Sequence, residues 1–150
     1  MIMALDELKE AFGEKILDTL TKNEQRVTIT IQPVALVPMA THLFKTMGFR
    51  FIIASALHTK RGFEIFYHFS LDNTGQILNL LVILDEDKPE VESLSNMFEA
   101  TNWIEREMHE LFGIDFLNHP NLDQLLSDGN WAKGVYPYRK SFKSKGEAQV

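Results

Sequence analysis

The sequence contains no cysteine. Disulfide bonds, thiolate zinc sites, cysteine-ligated iron–sulfur clusters and cysteine nucleophiles are therefore excluded. The chain also lacks an apolar run of about 18 residues, so it is predicted to contain no membrane-spanning helix. Its start, MIMALDELKEAF, lacks the apolar stretch and the cleavage site of a signal peptide. We therefore expect any link to a membrane to come through another protein.

Basic residues and glycines are both scarce. The chain has 15 Lys and Arg against 21 Asp and Glu, a net charge of -6, which disfavours nucleic acid as a partner. The 8 glycines form no GxGxxG dinucleotide loop, no GxxxxGK[ST] phosphate loop and no GxSxG nucleophile elbow. The sequence therefore predicts no cofactor site of its own.

The apolar residues that are present predict one α+β domain. Their spacing predicts amphipathic helices over residues 4–22 and 36–47, and Gly48 stands where a glycine often ends a helix. Strand patterns occur at residues 26–32, 49–57, 63–71 and 77–84. Short turns between the last three strands favour antiparallel pairing. We expect a mostly antiparallel four-stranded sheet with helices packed on one face.

An acidic stretch follows the last of these strands. Residues 85–110 hold nine acidic side chains and two basic ones. The pattern predicts a first helix entered through Pro89. A second helix is predicted to begin at Asn102, with Glu105 reaching back in a capping box, and to end at Gly113.

Beyond Phe116 the sequence shows no periodic element. Its charge also changes sign, because residues 129–150 hold five basic residues and one acidic residue. A long irregular segment in a compact domain usually carries function or contacts a partner. We therefore divide the chain into an N-terminal helix (1–25), a core domain (26–116) and an extended, irregular C-terminal arm (117–150).

The segment EREMHELFGIDFLNHP, residues 105–120, offers several carboxylates and two imidazoles. Acid–base catalysis is disfavoured, because Glu105 and Glu107 point to nearly opposite sides of a helix. A stand-alone metal-dependent enzyme is the alternative: Glu105 and His109 share a helix face, and His119 could approach from the following loop. The sequence offers no HExxH pair and no second ligand cluster to complete such a site.

A protein interface is the interpretation that we favour for this segment. An exposed pair such as Arg106 and Glu110 contributes only about 0.2–0.5 kcal/mol, too little to explain so many charges beside an ordered loop. An unpaired charge buried at a contact costs several kcal/mol. Mixed charges next to a basic arm are therefore typical of a surface that pairs with another protein.

Two separated motifs carry a resemblance to a known family. The first comprises Glu105, Arg106, Glu107, Glu110, LFGI at 111–114, Phe116, His119 and Pro120. The second comprises Trp131, GVYP at 134–137, Arg139, Lys140 and Phe142. Together they resemble the 30-kDa subunit family of respiratory complex I, the NADH:quinone oxidoreductase. The sequence departs from the family pattern at Asp123, Tyr138 and Ser141, where arginine, leucine and aspartate are usual.

The resemblance implies a non-catalytic subunit without a cofactor, in the peripheral arm of a membrane-bound oxidoreductase on the cytoplasmic side of the cell membrane. It also implies a partner, the large subunit homologous to the catalytic subunit of nickel–iron hydrogenases, and other peripheral-arm subunits. The same domain occurs in energy-converting hydrogenases and formate hydrogenlyases, and GVYP slightly favours that branch. The residues predicted to contact other subunits are Glu105, Arg106, Glu107, His109, Glu110, Phe112, His119, Pro120, Tyr136, Arg139 and Lys140.

Overall fold

The computed structural model describes residues 2–127 and 130–143. Residues 128–129 and 144–150 of the predicted arm therefore lie outside the described part. The helices are α1 (Ile2–Phe12), α2 (Leu36–Lys45) and α3 (Thr101–Phe112). The strands are β1 (Ile16–Asn23), β2 (Arg26–Ile31), β3 (Arg50–Thr59), β4 (Gly62–Leu71), β5 (Gln76–Leu84), β6 (Glu90–Glu92) and β7 (Asp115–Leu117).

Five strands form the main sheet, in the order β1-β2-β5-β4-β3. All neighbours are antiparallel except β2 and β5, which run parallel. The α+β class, the mostly antiparallel sheet and the four predicted strands are thus confirmed. The predicted number of strands is wrong by one, because β1 adds a fifth.

The predicted helix over residues 4–22 is wrong in its second half. Helix α1 ends at Phe12, a short 3₁₀ turn covers residues 13–15, and the chain continues as β1. Gly13 marks the break, as expected of a residue that weakens a helix interior. Strand β1 pairs with β2 from Ile16 opposite Ile31 to Asn23 opposite Arg26, and this pairing supplies backbone hydrogen bonds that an isolated helical turn could not outweigh.

The predicted helix after Pro89 is also wrong. Residues 90–92 form β6, which pairs parallel with β7, and turns lead from there to α3. The backbone N–H of Asp115 donates to the carbonyl of Pro89 at 2.8 Å, and that of Ser93 donates to the carbonyl of Leu117 at 2.9 Å. Residues 90–92 form a strand because they pair with a strand 25 residues downstream. The local spacing of apolar residues cannot reveal such a pairing.

The main core lies on one face of the five-stranded sheet. Alternate residues of β2, β4 and β5 are buried with the apolar sides of all three helices in a single cluster. Because side chains alternate across a strand, this places the helices on one face, as predicted. In the described part of the chain, no helix is long and apolar enough to cross a membrane.

Candidate docking site

Helix α3 is the scaffold of the candidate site. It begins at Thr101 after Ala100, and no side chain caps it, so the predicted capping box of Asn102 and Glu105 is wrong. The helix ends at Gly113, whose backbone is left-handed with φ 73° and ψ 30°, so the predicted stop is confirmed. A left-handed residue favours glycine because it has no Cβ.

Glu105 points into the protein from the inner side of α3. The residue is 0% exposed. One carboxylate oxygen accepts the backbone N–H of Leu94 at 2.8 Å, and the other accepts the hydroxyl of Ser93. Burial raises the pKa of Glu105 to about 7, against the two hydrogen bonds, which lower it. This carboxyl therefore fastens α3 to the turn after β6 instead of facing solvent.

His119 reaches the same place from the loop after β7. Its Nε2 lies 3.1 Å from the carbonyl of Asn102 and 3.7 Å from a carboxylate oxygen of Glu105. Its Nδ1 accepts the backbone N–H of Asn121 at 3.1 Å. Since a carbonyl can only accept, Nε2 carries the proton and donates it. Burial lowers the pKa of His119, which favours this neutral form.

The structure brings together only some of the residues of the metal site that the sequence analysis gave as an alternative. Glu105 and His119 do come together, but both nitrogens of His119 are engaged in hydrogen bonds. His109 bonds through Nδ1 to the carbonyl of Ile114 at 2.8 Å. In residues 2–127 and 130–143, no group of three His, Asp or Glu side chains is arranged to hold a metal ion. The chemistry of these donors fits a structural latch better than a metal centre.

The loop after His119 runs alongside α3 and is fastened to it by Arg106. The guanidinium donates to the carbonyls of Asp123 and Gln124, both at 2.9 Å. Arg106 and Glu110 stand four residues apart on the helix, but each side chain reaches across to the loop instead of pairing with the other. Arg106 uses a backbone carbonyl at position 123, so the departure from the family pattern at that position leaves this contact intact.

Glu110 holds the far end of the same loop. Its carboxylate accepts the backbone N–H groups of Leu125 and Leu126 at 2.9 Å and that of Ser127 at 2.6 Å, together with the Ser127 hydroxyl. Burial would raise the pKa of Glu110, but these hydrogen bonds outweigh it and lower the pKa to about 2. A carboxylate with so many donors is a fixed structural anion.

The C-terminal arm packs on the end of α3. The Nε of Arg139 donates to the carbonyl of Phe112 at 2.6 Å. Its guanidinium lies over the ring of Phe63 at 5.0 Å and that of Tyr136 at 4.5 Å. A cation at a helix C-terminus also interacts favourably with the helix dipole. The backbone N–H of Lys140 continues the contact by donating to an imidazole nitrogen of the core domain 3.0 Å away.

Replacing Gly113 by alanine should displace this arm. A Cβ there would lie 2.5 Å from the Tyr136 ring and 2.7 Å from the Arg139 guanidinium. We expect the free energy of unfolding to fall by about 2–3 kcal/mol, of which about 1–2 is backbone strain. Gly48 has nearly the same φ, +74°, and open space around it, so Gly48→Ala should cost the strain alone. Urea unfolding measures both, and equal losses would contradict the arm contact.

The predicted interface residues thus divide into two groups. Most of them are buried or half-buried and hold α3, the loop and the arm together, whereas Glu107, Pro120 and Lys140 are exposed. Contact of any of them with a partner stays a prediction. The sequence reasoning missed Trp103, which is 68% exposed. Its position four residues before Glu107, on the same side of the helix, is the signal that could have found it.

The sequence is similar to known respiratory proteins. The sequence model of a family described as respiratory-chain NADH dehydrogenase, 30 Kd subunit, matches residues 29–148. A subunit of the NADH-quinone oxidoreductase of Chelativorans sp. (strain BNC1) is 30% identical over 149 residues, which are 95% of this chain and 72% of that protein. The corresponding protein of Citrifermentans bemidjiense is 29% identical over 148 residues, with 95% and 89% covered.

Two solved structures share the fold. A trypsin-resistant fragment of Nqo5 superposes with a TM-score of 0.66 at 21% identity, over 79% of this chain and 98% of that one. A chain of the membrane-bound sulfane sulfur reductase, an archaeal respiratory membrane complex, superposes with a TM-score of 0.82 at 18% identity, over 97% and 86%. The likeness to this second structure therefore extends over nearly the whole chain.

Proposed function

The chain belongs to the family of the 30 Kd subunit of respiratory-chain NADH dehydrogenase, and from this premise we propose that it is a non-catalytic docking subunit. It binds a large subunit homologous to the catalytic subunit of nickel–iron hydrogenases and supports assembly and electron transfer there. It carries no cofactor of its own. The complex is of the NADH dehydrogenase or the energy-converting hydrogenase type. The chain sits peripherally on the cytoplasmic side of the membrane, attached through other subunits.

The exposed ridge of α3 carries the proposal. Trp103 and Glu107 form this ridge. Glu107 lies inside the segment that resembles the family signature, and Trp103 lies two residues before that segment begins. Tryptophan is among the residues that most often dominate the binding energy of protein interfaces. An indole left 68% exposed on a helix is costly to leave in water and suited to burial against a partner.

The contacts that Arg106 and Glu110 make with the neighbouring loop support the same function. Arg106 and Glu110 fasten the loop of residues 119–127 along one side of the ridge, and Leu126 in that loop is exposed. The arm at Tyr138, also exposed, borders the other side. A surface whose parts are already fixed loses less conformational entropy when it binds. The charged residues of the motif therefore position a docking surface more than they touch the partner.

Trp103→Ala tests the proposal in the native complex. We expect recovery of the large subunit with the tagged chain to fall about ten-fold or more, because removing such an anchor commonly costs at least about 2 kcal/mol. Leu20→Ala is the matched control: Leu20 is 65% exposed but lies on β1, so recovery should be unchanged. Equal recovery from both variants would refute docking through this ridge.

The identity of the recovered large subunit decides between the two types of complex. A hydrogenase-like large subunit with hydrogenase partners supports the branch that GVYP favours, whereas NADH-oxidising partners support complex I. Metal analysis of the purified chain tests the alternative enzyme at Glu105, His109 and His119. A stoichiometric bound metal would overturn the non-catalytic function.

A further inference from the structure

Strand β3 lies at an open edge of the main sheet. It pairs with β4 on one side, and within residues 2–127 and 130–143 no backbone hydrogen bond links its other side to another segment. Alternate residues of an antiparallel edge strand point both N–H and C=O outward. Ile53 and Leu57 on this strand are 49% and 42% exposed. Proteins usually blunt a long apolar edge of this kind, because it readily pairs with another chain.

Helix α3 forms a second wall beside this edge. A groove of about 240 Å³ lies between residues 53–56 of β3 and the side of α3 that carries Ile104, Met108 and Leu111. The side chain of Tyr138 contributes to its lining. The groove therefore combines an unpaired strand edge with an apolar wall.

Glu107 gives the groove its charge. Among the described residues that line it, Glu107 is the one with a charged side chain, and it is exposed. A basic side chain on the occupant would complement this carboxylate, whereas an acidic one would be repelled. The walls of the groove therefore favour an occupant with an extended backbone and a basic side chain.

We propose that this groove binds an extended segment of a neighbouring protein as a sixth strand beside β3. The segment pairs its backbone with the outward N–H and C=O groups of residues 52–57, places apolar side chains against Ile104 and Met108, and directs a lysine or arginine toward Glu107. Strand addition at a sheet edge draws affinity from the backbone and specificity from pockets for alternate side chains. The inference rests on the proposed function only in expecting a protein partner.

A peptide titration of the full chain tests the groove. The probe is a six-residue peptide with blocked ends that carries valine at positions 2 and 4, lysine at position 6 and threonine elsewhere, so that the valines and the lysine share one face of a strand. It is compared with the counterpart that has glutamate at position 6. We expect the lysine peptide to shift the backbone amide resonances of residues 52–57 and of α3 near Glu107. The glutamate peptide should bind at least about three-fold more weakly, as expected for one exposed charge pair changed to repulsion.

Glu107→Lys should reverse this preference. The variant should still fold, because Glu107 is exposed, and a well-dispersed amide spectrum checks this. Glu99→Lys makes the same change of net charge at another exposed site and should leave the preference within about two-fold of the original. The inference is overturned if the lysine peptide gives no shift up to about 5 mM, if the shifts lie elsewhere, or if the preference survives Glu107→Lys.

The two proposals fail separately. If Trp103→Ala fails to recover the large subunit but no peptide binds in the groove, the docking function stands and the groove proposal is refuted. If the peptide binds in the groove but Trp103→Ala recovers the large subunit normally, the groove proposal stands and docking through the α3 ridge is refuted.

Discussion

Glu105→Ala is expected to lower the free energy of unfolding at pH 5 by about 3 kcal/mol. The change leaves the buried N–H of Leu94 and the hydroxyl of Ser93 without their acceptor and opens a cavity beneath α3. Glu107→Ala, at an exposed position two residues away, should cost less than about 0.5 kcal/mol. Urea unfolding of the two variants measures the difference, and similar losses would contradict the role of Glu105 as an internal latch.

The same carboxyl should make stability depend on pH near neutrality. The pKa of Glu105 is raised from 4.5 to about 7 in the folded chain, so its contribution is fully present below about pH 4.5 and is lost as the pH rises through about 7. Glu105→Gln removes this titration. The stability of the original chain relative to this variant should therefore fall by about 3 kcal/mol between these limits.

His119 acts in the opposite direction on this pH dependence. Because its pKa is lowered in the folded chain, its contribution is gained as the pH rises toward the unfolded value. Comparison with Glu105→Gln largely cancels this effect, since His119 is present in both proteins. A stability difference that stays flat from about pH 5 to about pH 7 would contradict a raised pKa for Glu105.

Glu110→Ala should release the loop that runs along α3. The carboxylate accepts three backbone N–H groups and one hydroxyl, so we expect a loss of about 2–3 kcal/mol in the free energy of unfolding. The rates of amide hydrogen exchange at Leu125, Leu126 and Ser127 should rise by about ten-fold or more, because the loop opens locally. The exposed residue Glu99, changed to alanine, provides the control with the same loss of charge.

The pH window of Glu110 distinguishes it from Glu105. Its pKa is lowered from 4.5 to about 2, so its contribution is present above about pH 4.5 and is lost as the pH falls toward 2. Glu110→Gln should remove this acid-sensitive component and leave the dependence near pH 7 unchanged. Retention of protected amides at residues 125–127 in Glu110→Ala would contradict the proposed role of the carboxylate.

The candidate site was predictable in its outline. Helix α3 and its end at Gly113 follow from apolar spacing and one glycine, which are local signals. The approach of His119 to Glu105 enters the sequence analysis only as part of the alternative, a metal-dependent enzyme. The partners of Arg106 and Glu110 were not predictable, because both side chains reach backbone groups 15–18 residues away, and helix periodicity pairs a residue only with its near neighbours.

Taken alone, the sequence determined the α+β class, the positions of β2 to β5 and the membership of a respiratory subunit family. Each of these depends on residue types at short, fixed spacings, or on two motifs in order. Tertiary structure decided that residues 16–23 form a strand and that β6 pairs with β7, because pairing with a distant strand outweighs local propensity. It also turned the carboxylates of Glu105 and Glu110 inward. Buried carboxylates need donors, and those donors are backbone groups whose positions only the folded chain fixes.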